Sequence, residues 1–218
     1  MTEAERRPPL GPGEPAPDFT LPLVNREGTV SLRDYRGRNP VLLAIFRGLH
    51  CAFCRRHLAQ LGSTRDKLRE AGIEVLAITA SPLERARLYT RFRPLRVPLA
   101  ADPELVTHRL YGLPRHAPTP EFHLWIQSKY HELARELGRP LPDNAPYTDL
   151  VETVGRLEDF EMTEADWKDR RRGEGLIGQF LVDPDGIVRW ANIEGATEAT
   201  GLAGFPSADQ LLAAARRI

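Results

Sequence analysis

The chain has two cysteines, and they stand together as Cys51-Ala52-Phe53-Cys54. A gap of two residues brings both sulfurs into one helical turn, where they can close a disulfide or share a metal. Cysteine reacts as the thiolate, so what matters is what lowers its pKa. Arg47, Gly48 and His50 precede the pair, and Arg55, Arg56 and His57 follow it. Cys51 falls where a helix should begin, beside the free N–H groups and positive dipole end that favour an anion. Cys54 falls one turn further in, placed to close a disulfide behind it. Thiolates so arranged attack peroxides and exchange disulfides. Two inert core thiols or a structural metal site are the alternatives. The position between a buried strand and a helix favours redox chemistry.

The neighbours divide less cleanly. Arg55, Arg56 and His57 read either as an electropositive rim for a thiolate or as a solvated face, the second being favoured because the helix dipole works against cations in its first turn. His50 either tunes Cys51 and relays protons near neutral pH or is a turn residue. Arg47 reaches toward the sulfur or leaves the sheet for solvent, the second again favoured. His50, Cys51, Cys54 and His57 make an awkward tetrahedral set, and no second CxxC or HxxxH supports them, so neither a metal nor a cofactor is expected.

The elements that must position these residues follow from pattern. Val41–Phe46, VLLAIF, is an unbroken apolar run of strand length, as a central buried strand requires. A helix with Leu58, Leu61 and Leu68 on one face follows and stops at Gly72, before the strand Ile73–Thr79. Strand, helix and strand form a right-handed βαβ unit. Ser81-Pro82 starts a helix to about Phe92, Val97–Ala101 forms another strand, and Asp102-Pro103 opens a helix ending near Gly112. Upstream, Phe19–Val24 and Thr29–Leu32 form a hairpin around Gly28, and Asp34 to Gly37 makes a turn or short helix.

Prolines break the rhythm over 113–175. Phe122, Trp125, Ile126, Tyr130, Leu133 and Leu137 form one apolar stripe at helical spacing, read as packing rather than as a substrate pocket. Asp149-x-x-Glu152 and Thr163-x-x-Asp166 resemble helix-capping boxes. This stretch reads as a helical insertion with too few apolar residues for a core of its own, lying over the active turn as long ordered insertions often do. A strand–turn–strand unit, Gln179–Val182 and Ile187–Ala191, resumes the fold, and Ser207-x-x-Gln210 caps a last helix. Residues 1–17, charged and proline-rich, form a flexible arm before a domain over 18–218.

Composition limits function. The formal net charge is zero with 30 basic and 30 acidic residues, which argues against a nucleic-acid partner. No run approaches the ~20 apolar residues of a membrane span, and the N-terminus lacks the apolar core of a signal peptide. A cytoplasmic protein is the expectation, and there a close cysteine pair is seldom a structural staple.

Ala16-Pro17-Asp18-Phe19, Leu21, Gly28, Val30-Ser31-Leu32, Asp34-Tyr35 and Gly37 resemble the opening of the alkyl hydroperoxide reductase/thiol-specific antioxidant family, the peroxiredoxins. So do the strand that runs into the cysteines, Asp102-Pro103 with Tyr111-Gly112, and Phe180–Val188. The likeness covers about 16–112 and 178–218. It is nearest to the branch with an Arg-Gly-x-x-Cys-x-x-Cys turn, here Arg47 to Cys54. The resemblance implies a thioredoxin-like α/β fold, a central mixed sheet flanked by helices. It also implies a peroxidatic Cys51 resolved by Cys54, a hydroperoxide or disulfide substrate, a thioredoxin-, glutaredoxin- or glutathione-type reductant, and room for a homodimer. Typical members carry Pro-x-x-x-Thr-x-x-Cys. Here those places are Ala44 and Gly48 counted from Cys51, or Arg47 and Cys51 counted from Cys54. The peroxide-orienting threonine is absent in either register, and Ile177 stands where the family has an arginine.

Overall fold

The structure is a computed structural model that describes residues 8–114, 119–171, 176–194, 205–216 and 218. Strands β1 (Thr20–Pro22) and β2 (Thr29–Ser31) pair antiparallel across a turn where Gly28 has φ +97°, a conformation open to glycine and costly to side chains. A single 3-10 turn, Leu32–Tyr35, follows. The main sheet is built from β3 (Val41–Phe46), β4 (Glu74–Thr79), β5 (Leu99–Ala101), β6 (Gly178–Val182) and β7 (Val188–Ile193), in the order β5-β4-β3-β6-β7. β4 and β5 run parallel to β3, while β6 is antiparallel to β3 and β7 to β6. The expected mixed sheet is present, with β3 at its centre.

Every residue of β3 is buried, which is why VLLAIF has no polar alternation. On one face Leu42, Ala44 and Phe46 meet Leu58, Leu61 and Leu68 of α1 (Ala52–Glu70) and Leu211 and Ala214 of α7 (Ala208–Ala215). On the other, Val41, Leu43 and Ile45 meet Tyr111, Phe180 and the N-terminal Leu10 and Phe19. α2 (Leu83–Phe92) and α3 (Val106–Leu110) complete the frame. Among the described residues no helix is long and apolar enough to cross a membrane.

Several local expectations change. The arm is docked over its described part: Leu10 is buried, the Gly13 amide donates to the Val188 carbonyl, and Pro15 bridges Ile187. Residues 1–7 lie outside the described residues. Ser81 does not cap α2, whose N-cap is Pro82; its hydroxyl is engaged elsewhere. Asp149 is no cap either, since α5 (Tyr147–Leu157) already begins at Tyr147 and Glu152 pairs with Arg156 on the surface. Thr163 and Asp166 do make the reciprocal bonds of a capping box at α6 (Glu164–Arg171), and so do Ser207 and Gln210 at α7.

The insertion holds α4 (Pro120–Glu136), α5 and α6. Its apolar side chains, Ile126, Tyr130, Leu133 and Ala134 of α4 with Leu150, Val151 and Val154 of α5, form a cluster that also takes in Ala52 of α1, with Phe53 packed against it. The apolar stripes of the two helices thus find part of their cover on the main domain. The Trp125 and Tyr130 stripe is packing. The insertion thus rests on the first turn of α1, where the cysteines are. Gly155 lies in the last turn of α5, where the chain after the helix folds back against it: the Phe160 amide donates to the Gly155 carbonyl, and a Cβ on Gly155 would lie 2.6 Å from the Phe160 carbonyl oxygen. Gly155→Ala should therefore lose about 1–3 kcal/mol, read as a lower urea midpoint with unchanged slope.

Candidate active site

β3 delivers its C-terminal end to a short turn, Arg47 to His50, and α1 starts directly after it with Cys51 as the N-cap residue. Both sulfurs are free thiols and both are buried, Cys51 at 4% exposure and Cys54 at 2%. The turn is tied down on two sides. The Leu49 amide donates to the Ser81 hydroxyl at 2.8 Å. Its carbonyl accepts from Arg55 Nη1 at 2.7 Å. Gly48 has no room for a side chain, because a Cβ would come within 2.8 Å of the His50 ring atoms Cε1 and Nδ1.

Arg47 does not leave for solvent. Its Nη2 donates to the Cys51 sulfur at 3.7 Å and to Glu194 Oε1 at 3.1 Å. Glu194 follows β7 directly and is 2% exposed. A buried carboxylate from a residue nearly 150 positions away holds the arginine inward, and no local pattern could have announced it. Arg55 is likewise no part of a solvated face. It is 5% exposed, grips Glu158 through Nε and Nη2 at 3.1 and 2.6 Å, and lies 4.3 Å from the centre of the Phe160 ring. Glu158 and Phe160 belong to the insertion, so Arg55 links that segment to the cysteine turn. Arg56 stays on the surface with Glu136 and Glu158. His57 is buried with its ring against Phe205.

Two further groups bear on the sulfurs. Arg170 of α6 stacks over Tyr130 and Tyr147, donates to the Tyr147 hydroxyl, and adds positive potential at Cys51. Arg170 is the first of three consecutive arginines in the sequence, of which Arg172 lies outside the described residues. His50 is the other. Burial first, then the Arg170 charge, push its pKa down to about 4. At neutral pH it is then an uncharged imidazole packed in the turn beside Cys51.

These groups split the two thiols. The hydrogen bond from the Cys54 thiol holds Cys51 well below the ordinary range, against the cost of burial and with help from the Arg47 and Arg170 charges. Burial and the neighbouring Cys51 push Cys54 well above it, partly offset by Arg47 and the Gly48 amide. By electrostatics Cys51 is therefore the more acidic sulfur of the pair and Cys54 the one that keeps its proton. Among the described residues no group of three or more His, Cys, Asp or Glu side chains is placed to hold a metal ion.

Alkylation of Cys51 in a Cys54→Ser protein, which keeps a donor hydroxyl, should titrate well below the free-thiol value of ~8.5. Cys54→Ala removes that donor. Because a depressed pKa reflects a stabilised anion, its loss moves the midpoint up, so Cys54→Ala should titrate at higher pH than Cys54→Ser.

Known proteins resemble this chain in sequence and in fold. Alkyl hydroperoxide reductase E of Mycobacterium bovis and of Mycobacterium tuberculosis is 31% identical over 106 residues, which is 48% of this chain and 69% of that protein. Peroxidoxin BcpB of Mycobacterium tuberculosis superposes with a TM-score of 0.58 at 15% identity, covering 96% of this chain and 98% of that one. The reduced 2-Cys peroxiredoxin of Plasmodium vivax gives 0.59 at 15%, over 95% of each chain. A thiol:disulfide interchange protein, DsbE, of Chlorobium tepidum gives 0.53 at 21%, over 94% of this chain and 99% of that one. At such identities these structures speak to a shared thioredoxin-like fold. The sequence profile of the AhpC/TSA family matches residues 12–191, and the chain belongs to that family.

Proposed function

We propose that this chain is a thiol peroxidase in which Cys51 is the peroxidatic cysteine and Cys54 resolves it. The observation that carries the reading is the opposite tuning of the two sulfurs at the start of α1, with the Arg47 guanidinium 3.7 Å from Cys51. The Cys51 thiolate attacks one oxygen of a hydroperoxide. An S–O bond forms, the O–O bond breaks, and the alkoxide leaves and takes a proton to become the alcohol. Cys51 is then a sulfenic acid. The Cys54 sulfur attacks it, expelling water and leaving the Cys51–Cys54 disulfide. An external dithiol of thioredoxin or glutaredoxin type, or glutathione, returns the pair to thiols by exchange and is itself oxidised.

Arg47 supports the first step. Charge moves from sulfur to the departing oxygen, and a guanidinium with five N–H donors can follow it. It stands in the neighbourhood where relatives with the Pro-x-x-x-Thr-x-x-Cys pattern have a hydroxyl. The Gly48 amide faces Cys54, so it is a poor substitute for that hydroxyl. Removing one oriented donor costs on the order of 10²-fold in comparable sites, so turnover should be real but below that of a threonine-bearing enzyme.

The CxxC at a helix N-terminus equally suits disulfide reduction, in which Cys51 attacks a substrate disulfide and Cys54 releases the mixed disulfide. One set of variants separates the two. Cys51→Ser should abolish peroxide consumption. Cys54→Ser should consume a single equivalent and leave a Cys51 sulfenic acid that a dimedone-type probe traps. If the wild type consumes no peroxide yet reduces a protein disulfide with the same cysteine dependence, the reductase reading replaces the first.

A further inference from the structure

Glu194 is the residue that this site uses and that neither the CxxC nor the cysteine turn explains. Its carboxylate has two tasks. Oε1 accepts from Arg47 Nη2 at 3.1 Å, and Oε2 accepts from the Ile177 amide at 3.1 Å. Its own amide donates to the Ile177 carbonyl at 2.9 Å. Both backbone polar groups of Ile177, at the start of β6, are thus engaged by one residue at the end of β7. The carboxylate cannot swing away without orphaning a buried donor. Arg47 is long and flexible, and its own strand ends one residue earlier, at Phe46. Something has to fix its head group beside the sulfur.

We infer that Glu194 is a positioning residue: its carboxylate, anchored on the Ile177 amide, holds the Arg47 guanidinium against the Cys51 sulfur. This assignment rests on Cys51 being the nucleophile. It also explains how the chain manages with Ile177 in place of the arginine that the family resemblance would put there. In this chain the cation enters from the end of β3, and the backbone of Ile177 anchors the carboxylate that aims it.

The effect has a sign that separates positioning from plain charge. Among the described residues the ionisable groups that face Cys51 or its neighbours include Arg47 from the end of β3, His50 from the turn, Cys54 from α1, Asp166 and Arg170 from α6, and Glu194 after β7. Removing the Glu194 charge while Arg47 stays put would make the thiolate more stable, because a nearby anion is gone. Removing the clamp so that Arg47 leaves would make it less stable, because the nearby cation is gone. The positioning role therefore predicts a shift opposite to the direct charge effect.

The experiment is pH-dependent alkylation of Cys51 in the full-length Cys54→Ser protein, alone and with Glu194→Gln, Arg47→Met, or both. A low midpoint in the Cys54→Ser parent is the premise; a parent that titrates like a free thiol overturns the Cys51 assignment itself, not the role of Glu194. With a low parent, Glu194→Gln should raise the midpoint by about one pH unit, a tenfold change in the thiolate equilibrium. Arg47→Met should raise it at least as far, and the double variant should go no higher than Arg47→Met. A Glu194→Gln midpoint that stays or falls overturns the proposal, as does a double variant above Arg47→Met. If Glu194→Gln alone does not fold, Glu194→Asp takes its place: the carboxylate keeps its charge but is one methylene too short to hold both the Ile177 amide and Arg47, so the midpoint should again rise, and one that stays at the parent value overturns the proposal. In the otherwise wild-type enzyme, Glu194→Gln should lower the rate of peroxide consumption about as much as Arg47→Met does.

Discussion

A guanidinium held mostly out of water at the end of the central strand is the constraint from which the rest of this site follows. A charge there is expensive unless it is paired and hydrogen-bonded, and Arg47 has two anions in reach, the Glu194 carboxylate and the Cys51 sulfur. Its pKa is driven up despite burial, by those same neighbours. The cation is thus permanent, and the sulfur beside it gains from being a thiolate. β3 supplies the arginine, α1 the sulfur and the end of β7 the carboxylate. The pairing of β7 with β6 and of β6 with β3 is what brings these three groups together.

The insertion enters through a second buried arginine. Arg55 joins the Leu49 carbonyl, inside the cysteine turn, to Glu158 and the Phe160 ring on the insertion side. Arg85 of α2 lies over the same ring at 4.5 Å and is paired with Asp166 at the start of α6. Arg170 then returns positive potential from α6 to Cys51 and His50. The segment over 113–175 is therefore more than a cover. It supplies the anion that fixes the turn and a cation that acidifies the sulfur, from elements that carry no cysteine chemistry of their own.

These two arginines mark where the sequence was legible and where it was not. The buried strand, the helix start at Cys51 and the two true capping boxes are local patterns, and each appears where the residues place it. Thr163-x-x-Asp166 and Asp149-x-x-Glu152 look alike in sequence. They differ because Pro146 starts α5 before Asp149 can act, whereas Thr163 immediately precedes α6. Nothing local to Arg47 or Arg55 announces their burial, because their carboxylate partners lie far along the chain. A residue's burial depends on what the topology brings beside it, and an isolated Glu after a strand carries no signal of its own. Ser81 shows the same in small: a good cap by type, it serves the Leu49 amide instead.

In the proposed cycle, the pairing of the sulfurs also gives the two halves their order. In the thiol state, the Cys51 anion and its hydrogen bond are among the causes that keep Cys54 protonated, together with burial. A protonated Cys54 cannot compete for peroxide, and its proton stabilises the sulfur that does. Once Cys51 has become a sulfenic acid its charge is gone. Burial then still disfavours a Cys54 thiolate, but the repulsion from Cys51 no longer does, while Arg47 and the Gly48 amide, which lower the Cys54 pKa, keep acting. The same guanidinium that held the first thiolate now favours the second. A thiolate with a higher intrinsic pKa is also the stronger nucleophile when it does ionise, so the resolving sulfur becomes reactive when its target is ready. One arginine, fixed in place by a carboxylate after β7, can in this way serve both sulfurs in turn without moving.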